Sequence, residues 1–155
     1  MAVVMALPGN DLSLCIPDLK SKKKDAALAE MALAAEAAGL VTGSDLLLEL
    51  LRLRERLGNT AVGKGVAIPH ARSLTVSQPR ILVARSARGI DWQVADEGAV
   101  HLVLLTLAPA EWSDDAFHAL LARAAGSSRL QRTRQKLLAA PSPQELALAF
   151  REALA

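Results

Sequence analysis

The sequence contains few of the residues that form disulfides or metal sites. Cys15 is the only cysteine among 155 residues, which excludes an intramolecular disulfide and any zinc site built from several cysteines. This favours a buried small apolar side chain at Cys15 over a nucleophile. The chain has only three histidines, His70, His101 and His118, and they are scattered, so no metal site is expected.

Charge of one sign and long apolar runs are also scarce. The chain has 18 Lys+Arg against 16 Asp+Glu, a net charge of +2, which is not the broad basic field of a nucleic-acid-binding protein. The longest apolar stretch without a formal charge, residues 98–110, has 13 residues, whereas a helix needs ~20 to cross a bilayer. Residues 1–8 are apolar but lack the basic start of a signal peptide. We therefore expect no nucleic-acid partner, no membrane insertion and a cytoplasmic location.

The remaining composition is that of a globular protein. Hydrophobic residues make up 52% of the chain and charged residues 22%. No long repeat and no linker rich in proline, serine or glycine divides the sequence, so we expect one domain over residues 1–155. The lysine-rich run at residues 20–24 is interpreted as a solvated approach to a helix in preference to a phosphate-binding patch.

Two helices are predicted in the first third of the chain. The first begins at Asp25 and ends at Gly39, and its apolar positions have helical spacing: Leu28, Met31, Ala32 and Ala35. Ser44 is predicted to cap the second helix, which Gly58 ends. Its predicted buried stripe consists of Leu46, Leu47, Leu50, Leu53 and Leu57.

Three further helices are predicted after residue 110. Ser113 is a cap for the first of them, with Asp114 and Asp115 at its positive end. Its apolar face is formed by Phe117, Leu120, Leu121 and Ala124. A shorter helix is expected near residues 130–138. Ser142 begins a capping box for the last helix, whose inward side is formed by Leu146, Ala149, Phe150 and Ala153.

Strands are predicted between these two groups of helices. A glycine-rich turn at residues 63–65 leads into a short apolar strand that Pro69 ends. Residues 81–84 and 99–108 are predicted to be further strands, the second of them buried. Strands interleaved with helices predict an α/β fold, with a central mixed β-sheet flanked by helices on both faces.

Two histidines are candidates for a functional site. His70 follows Pro69 at the predicted end of a strand, where α/β proteins commonly bind ligands. From its spacing alone it is either a site residue or a loop histidine without a role. His118 lies one turn after Asp114 and Asp115, whose carboxylates could orient its ring or stabilise its cation.

Arg54 is a third candidate, and His101 is not one. Arg54 borders the leucine stripe of the second helix, where its guanidinium could bind an anion through two parallel hydrogen bonds. From the sequence pattern alone an exposed helix charge is favoured, since Arg52 and Arg56 lie nearby. His101 lies in an apolar strand and is expected to have a packing role.

Several enzyme classes are excluded by missing motifs. Residues 58–64 fit the beginning of a Walker loop, but Gly65 stands where the metal-binding Ser or Thr is needed, and the segment follows a helix. The sequence has neither a Gly-x-Ser-x-Gly elbow nor a His-Glu-x-x-His pair.

The segment from Arg54 to His70 carries a specific pattern. It has an Arg-Glu pair at residues 54–55, a Thr-x-x-Gly-x-Gly turn at residues 60–65 and Ala-Ile-Pro-His at residues 67–70. It resembles the enzyme IIA domain of the fructose/mannitol class of the bacterial phosphoenolpyruvate-dependent sugar phosphotransferase system, which includes the nitrogen-regulatory enzyme IIA. The resemblance covers nearly the whole chain through Ile-Asp-Trp at residues 90–92, Asp96, the apolar residues 100–105, Phe117-His118 and residues 142–146.

This resemblance implies roles for three residues. His70 matches the phosphoacceptor, and His118 matches the second histidine, which lies beside the first and helps to hold the phosphoryl group. Arg54 matches the family's arginine, 16 residues before the acceptor. His101 has no counterpart in the pattern.

The resemblance also implies an activity and partners. The chain is expected to be a phosphotransferase component that accepts a phosphoryl group from a phosphorylated histidine carrier protein and donates it to a cysteine of enzyme IIB. No cofactor is implied beyond the phosphoryl group in transit. The alternative is a nitrogen-type regulatory protein whose phosphorylation state controls its binding to a transporter, kinase or other target. Chemically, a neutral imidazole suits either role, because its ordinary pKa of about 6.5 leaves a nucleophilic nitrogen free at pH 7.

Overall fold

A computed structural model describes residues 2–6, 12–95 and 98–155 of the chain. Asp96, part of the pattern discussed above, lies outside these residues. The described strands are β1 (Val3–Ala6), β2 (Leu12–Ile16), β3 (Ala61–Gly63), β4 (Val66–Ala67), β5 (His70–Ser73), β6 (Arg80–Ile90) and β7 (Val100–Pro109). The described helices are α1 (Lys24–Ala37), α2 (Ser44–Leu57), α3 (Asp114–Ser127), α4 (Gln131–Ala139) and α5 (Pro143–Leu154). Among them, no helix is long and apolar enough to cross a membrane.

The strands form one mixed sheet in the order β1-β2-β6-β7-β4-β3, with β5 also paired to β7. Strands β4 and β5 both run parallel to β7 and keep one register. Val66 pairs with Leu102 and His70 pairs with Thr106, a difference of 36 residues in both cases. Strands β4 and β5 are therefore two parts of one strand alongside β7, interrupted at residues 68–69.

Helices cover both faces of the sheet. Side chains alternate between the faces with the two-residue period of a strand. Leu82 and Val103 project into an apolar cluster with α1 and α2, whereas Val83 and Leu104 project into a second cluster with α3, α4 and α5. The predicted α/β fold with a mixed central sheet and helices on both faces is confirmed.

Several helix ends are where the sequence predicts them. Gly39, at φ 76°, follows α1, and its N–H donates to Glu36 O at 3.0 Å while the N–H of Leu40 donates to Ala35 O at 2.9 Å. This pair of bonds is the Schellman arrangement. Ser113 Oγ accepts from Ala116 N, and Ser142 Oγ accepts from Glu145 N, both at 3.1 Å. These local signals are sufficient because a cap needs only neighbouring residues.

The predicted cap of α2 is wrong. Gly43 is the N-cap, and Ser44 is already the first helical residue. The carboxylate of Glu36, near the end of α1, accepts from Ser44 N at 3.0 Å and from Ser44 Oγ at 3.2 Å. A carboxylate from another helix therefore satisfies the free N–H at this end, and a serine cap is not needed.

The predicted buried stripe of α2 is also largely wrong. Leu47 and Leu51 are completely buried, as the central residues of the face that packs against the sheet and α1. Leu46, Leu53 and Leu57 are exposed, and Leu57 retains 85% of its accessible surface. A helix with seven leucines has more than one apolar face, and tertiary packing determines which one is buried.

The strands also differ in part from the prediction. Strand β6 is longer than residues 81–84, and β1 and β2 were not predicted. Strand β4 ends at Ala67, before Pro69, but β5 begins directly after Pro69, so His70 starts a strand and does not follow the end of one. Cys15, in β2, is buried as expected, and burial raises the pKa of its thiol to about 11.

Candidate functional site

The backbone around Pro69 positions His70. Proline has no N–H to donate, so the hydrogen-bond ladder along β7 is interrupted there. The carbonyl of Pro69 still accepts from Thr106 N at 3.0 Å, which keeps the chain against β7. His70 then begins β5 with its side chain on the face of the sheet that α3 covers.

Two hydrogen bonds define the protonation state of the His70 ring. Nδ1 lies 2.8 Å from the carbonyl oxygen of Ile68, an acceptor, so Nδ1 carries the proton and donates it. Nε of Arg54 donates to Nε2 of His70 at 3.0 Å, which requires a lone pair on Nε2. Both contacts fit one neutral tautomer, assigned from this hydrogen-bond network. The free lone pair of the ring is therefore on Nε2.

The surroundings of His70 keep the ring neutral. Burial lowers the pKa of His70, and the charges of Arg54 and His118 lower it further. The hydrogen bond to Ile68 and the carboxylate of Glu55 raise the pKa, but the lowering effects are larger. Since the pKa lies below 6.5, the imidazole is predominantly unprotonated at pH 7.

Arg54 reaches His70 from the last turn of α2. The helix ends at Leu57, and the carbonyl of Gly58 accepts from Nη1 of Arg54 at 2.7 Å. The guanidinium is therefore held at two points. Arg52, two residues earlier, projects elsewhere, since its Nε donates to Asp25 at 2.7 Å and its Nη1 to Glu49 at 3.2 Å. The structure thus distinguishes Arg54 from its neighbour by the contacts that each arginine makes.

His118 lies on the wall of the same cleft. It is exposed on α3, and the cleft of about 390 Å³ is lined by His70, Arg54 and His118 together with apolar side chains of α2 and α3. The three residues singled out from the sequence are therefore brought together. Asp114, suggested above as a partner for His118, instead pairs with Arg72 at 2.8 Å.

An aromatic and cationic stack behind His70 was missed by the sequence reasoning. The Phe117 ring contacts the His70 ring edge to face, with centroids 5.7 Å apart. The Arg72 guanidinium carbon lies over the Phe117 ring, 5.2 Å from its centroid. Arg72 also donates to the Trp112 carbonyl at 2.9 Å. One available signal was the two-residue strand period, which places Arg72 on the same face as His70.

A second cleft adjoins the first. It has a volume of about 340 Å³ and shares Arg54, His70 and Leu121 with the first. Exposed apolar side chains surround the two clefts: Leu53, Leu57 and Val62. The site is therefore an open, partly apolar surface with a nucleophilic nitrogen and two basic side chains, a form suited to contact with another macromolecule.

His101 belongs to a different part of the sheet. Its Nδ1 lies 2.8 Å from the carbonyl oxygen of Ser86, and its ring packs beside Gly65 and Gly89. Gly89 has φ 91°, and a Cβ there would lie 3.0 Å from the imidazole and 2.6 Å from the Ala99 side chain, so this position requires glycine. Within the described ranges, no three His, Cys, Asp or Glu side chains are grouped so that they could hold a metal ion.

Comparisons with known proteins agree with this architecture. Residues 11–153 match the family described as "Phosphoenolpyruvate-dependent sugar phosphotransferase system, EIIA 2". A nitrogen regulatory protein of Bradyrhizobium diazoefficiens is 42% identical over 132 residues, 84% of each chain. A fructose-specific EIIA component of the phosphotransferase system from Haloferax volcanii is 38% identical over 107 residues, 69% of each chain.

A solved structure gives the same result. The crystal structure of the nitrogen regulatory protein IIA-Ntr from Neisseria meningitidis superimposes with a TM-score of 0.76 at 26% identity, covering 88% of this chain and 92% of that one. The family match spans nearly the whole chain, and the fold is shared. The chain belongs to the EIIA type-2 family of the phosphoenolpyruvate-dependent sugar phosphotransferase system.

Proposed function

We propose that this chain is a phosphoryl carrier in which Nε2 of His70 accepts the phosphoryl group. The donor is a phosphorylated histidine carrier protein, and the acceptor is a cysteine of an enzyme IIB. The observation that carries the proposal is the pair of hydrogen bonds on the imidazole. Nδ1–H is held by the Ile68 carbonyl, so the lone pair is on Nε2, under the guanidinium of Arg54.

The transfer steps follow from this tautomer. The Nε2 lone pair attacks the phosphorus of the donor, a new N–P bond forms, and the donor's N–P bond breaks with its electron pair returning to the donor ring. The Ile68 carbonyl continues to accept a hydrogen bond from Nδ1–H. This contact favours the cationic ring that carries a proton on Nδ1 and the phosphoryl group on Nε2. That ring is a good leaving group when the partner's thiolate sulfur attacks phosphorus in the second step.

Arg54 and His118 have supporting roles in the proposal. Arg54 now donates to Nε2, so it must turn from the ring nitrogen to the phosphoryl oxygens as the N–P bond forms. Its guanidinium offers donors suited to those oxygens. His118, in the same cleft, supplies a second donor or positive charge. Positioning and charge neutralisation are what phosphoryl transfer requires from a protein.

The surroundings of the cleft suit a protein partner. Leu53 and Leu57 project to solvent next to Arg54, and a partner must cover them to bring its phosphoryl group to His70.

We propose further that residues 1–155 act as one domain, because both apolar clusters cover a shared sheet. A donor charged from phosphoenolpyruvate is cytoplasmic, so the proposal also places the chain in the cytoplasm.

Radiolabelling tests the acceptor assignment. The purified chain is incubated with labelled phosphoenolpyruvate and the two general phosphotransferase proteins, and the label should be acid-labile, as expected for phosphohistidine. His70→Ala should remain folded by circular dichroism and take up no label. The matched control is His101→Gln, which should be labelled like the wild type. Label retained on folded His70→Ala would exclude His70 as the acceptor.

A regulatory role is the second candidate. The match to the nitrogen regulatory protein is longer and closer than the match to the fructose-specific component, which favours it. In that role the phosphorylation state of His70 controls binding to a transporter, kinase or other target. A chase of the labelled chain with purified enzyme IIB separates the two roles. Rapid loss of label to the IIB cysteine supports sugar transport, whereas label retained on His70 supports regulation.

A further inference from the structure

A buried ion pair lies behind the site, between α1 and α2. Nζ of Lys24 is 3.3 Å from Oε1 of Glu55, with only 13% and 5% of the two side chains exposed. Lys24 belongs to the lysine-rich run predicted to be solvated, and it departs from that prediction. Two charges are removed from water only at a substantial cost, so a pair this buried needs further hydrogen bonds to be favourable.

Thr60 supplies those hydrogen bonds. Its backbone N–H donates to Oε1 of Glu55 at 3.2 Å, and its hydroxyl donates to Oε2. The Glu55 carboxylate therefore accepts from three donors that come from α1 and from the segment after α2. It closes the chain between residues 55 and 60 into a fixed loop.

This loop is connected to both nitrogens of the His70 ring. On one side, the carbonyl of Thr60 accepts from Ile68 N at 3.0 Å, and the Ile68 carbonyl holds Nδ1 of His70. On the other side, the loop contains Gly58, whose carbonyl holds Nη1 of Arg54 while Nε of Arg54 donates to Nε2. The two routes form a closed circuit of hydrogen bonds around the imidazole.

We propose that Glu55, anchored by Lys24, is a positioning residue that keeps Arg54 on Nε2 and the Ile68 carbonyl on Nδ1 of His70. The hydrogen bonds of Glu55 go to Lys24 and Thr60 and not to the ring. Glu55 acts through Thr60 and Gly58. The effect on transfer rests on the phosphoryl-carrier function proposed above, whereas the effect on the ring tautomer does not.

The charged and titratable side chains around His70 come from three elements, α2, α3 and β5. Arg54 and Glu55 come from α2, His118 comes from α3, and Arg72 lies two residues further along β5 in the same cleft. Glu55 raises the pKa of His70, against Arg54 and His118. A titration of His70 in a Glu55 variant therefore combines lost negative charge with a displaced guanidinium. The tautomer of the ring is the cleaner measurement.

The chain contains a matched control for this carboxylate. Glu30, on α1, also fixes a loop: it accepts from Lys20 N at 3.1 Å and from Ser21 N and Oγ at 3.0 and 2.8 Å. None of these groups belongs to the circuit around His70. Glu30→Gln should therefore loosen a loop of α1 without altering the site.

The first experiment measures the ring directly. In ¹⁵N NMR spectra of the full chain, the two imidazole nitrogens of His70 have different shifts when protonated and unprotonated. Wild type and Glu30→Gln should show the proton on Nδ1. Glu55→Gln should show a mixture of the two neutral tautomers, with the proton on Nδ1 in some molecules and on Nε2 in others. The reason is that the contacts of Arg54 with Nε2 and of the Ile68 carbonyl with Nδ1 are both loosened. Wild-type shifts in Glu55→Gln would overturn the proposal.

The second experiment is a double-mutant cycle on the rate of labelling. Loss of a direct oxyanion donor costs roughly 10²–10³ in rate, so displacing Arg54 through Glu55→Gln should cost about tenfold. In an Arg54→Ala background only the route through the Ile68 carbonyl remains, so Glu55→Gln should cost clearly less than it does in the wild type, since contacts that act as a unit are not additive. An equal loss in both backgrounds would mean that Glu55 does not act through Arg54, and the proposal would be withdrawn.

A further variant covers the case in which Glu55→Gln does not fold. Thr60→Val removes only the hydroxyl contact to Glu55, and Thr60→Ser restores it. The valine variant should show the tautomer mixture and slow labelling, and the serine variant should recover both. Valine and serine variants that match each other would contradict the proposal. If the wild type takes up no label at all, the carrier function fails, and the tautomer of Glu55→Gln or Thr60→Val still decides this inference.

Discussion

Nδ1 of His70 donates to the carbonyl oxygen of Ile68, two residues earlier in the chain, at 2.8 Å. The residue between them, Pro69, has a fixed φ and no N–H of its own. The short segment thus presents a carbonyl to one ring nitrogen without competition from a neighbouring donor. Three consecutive residues therefore place an acceptor at Nδ1, and Arg54 of α2 adds the donor at Nε2 that completes the tautomer.

Arg54 is expected to matter more than the other arginines of α2. Arg54→Ala should slow phosphoryl transfer by roughly 10²–10³, because it removes the donor to Nε2 and to the future phosphoryl oxygens. Arg52→Ala should change the rate less than about twofold, since Arg52 pairs with Asp25 and Glu49 away from the cleft. Initial rates of labelling measure both. Similar losses for the two variants would indicate a diffuse docking charge instead of a defined contact.

The pH dependence of His70 has a definite sign. Because the folded protein lowers its pKa below 6.5, protonation is harder in the folded than in the unfolded chain. The contribution of His70 to stability is therefore present above pH 6.5 and is lost as the pH falls through the folded pKa. His118→Ala and Arg54→Ala each remove a positive charge, so both should raise the pKa of His70.

An NMR titration of the His70 ring in wild type and the two variants measures these shifts. Labelling of His118→Ala should continue at a reduced rate, because His118 is proposed as a supporting residue and not as a second acceptor. If the titration curve and the rate both match the wild type, His118 has no role at the site despite lining the cleft.

The two leucine faces of α2 should differ sharply in stability measurements. Leu51→Ala should lower the free energy of unfolding by about 2–5 kcal/mol, since Leu51 is completely buried. Leu57→Ala should change it by less than about 0.5 kcal/mol, because Leu57 is exposed. Urea denaturation measures both. Leu57→Asp should in addition raise the KM for the phosphorylated donor if Leu57 contacts the partner. A destabilised Leu57→Ala would restore the stripe predicted from the sequence.

Cys15 should be unreactive in the folded chain. Burial raises its pKa to about 11, so at pH 8 only about one thiol in a thousand is a thiolate, and that sulfur is also shielded from reagents. The reaction with a chromogenic disulfide should be slow in buffer and fast in urea. Fast reaction in buffer would show that β2 opens readily at this position.

Local signals explain which parts of the fold were predictable. The ends of α1, α3 and α5 depend on residues within one turn, such as Gly39, Ser113 and Ser142, and these predictions are confirmed. The start of α2 depends on Glu36 from another helix, and that contact leaves no pattern in the sequence around Ser44. The buried face of α2 likewise follows from packing, because its leucines alone allow several faces.

The residues of the site also differ in how far the sequence could predict them. The spacing of residues left His70 and Arg54 with two readings each, and only the family pattern singled them out. The contact of Arg54 with His70 joins α2 to β5, and the contact of Phe117 with His70 joins α3 to β5. Glu55 was noticed only as part of an Arg-Glu pair, since its partners Lys24 and Thr60 lie 31 and 5 residues away. Such partners become visible only once the helices are packed.

The common register of β4 and β5 makes the site sensitive to chain length. His70 projects toward α3, and Ala71 projects into the cluster of α1 and α2, because alternate residues point to opposite faces. One residue inserted between Ala67 and His70 would turn the imidazole toward α1 and α2, away from Phe117 and His118. The length of this two-residue bridge, Ile68 and Pro69, is therefore fixed by parity. An insertion there would remove the proposed acceptor from its cleft although every residue of the site was still present.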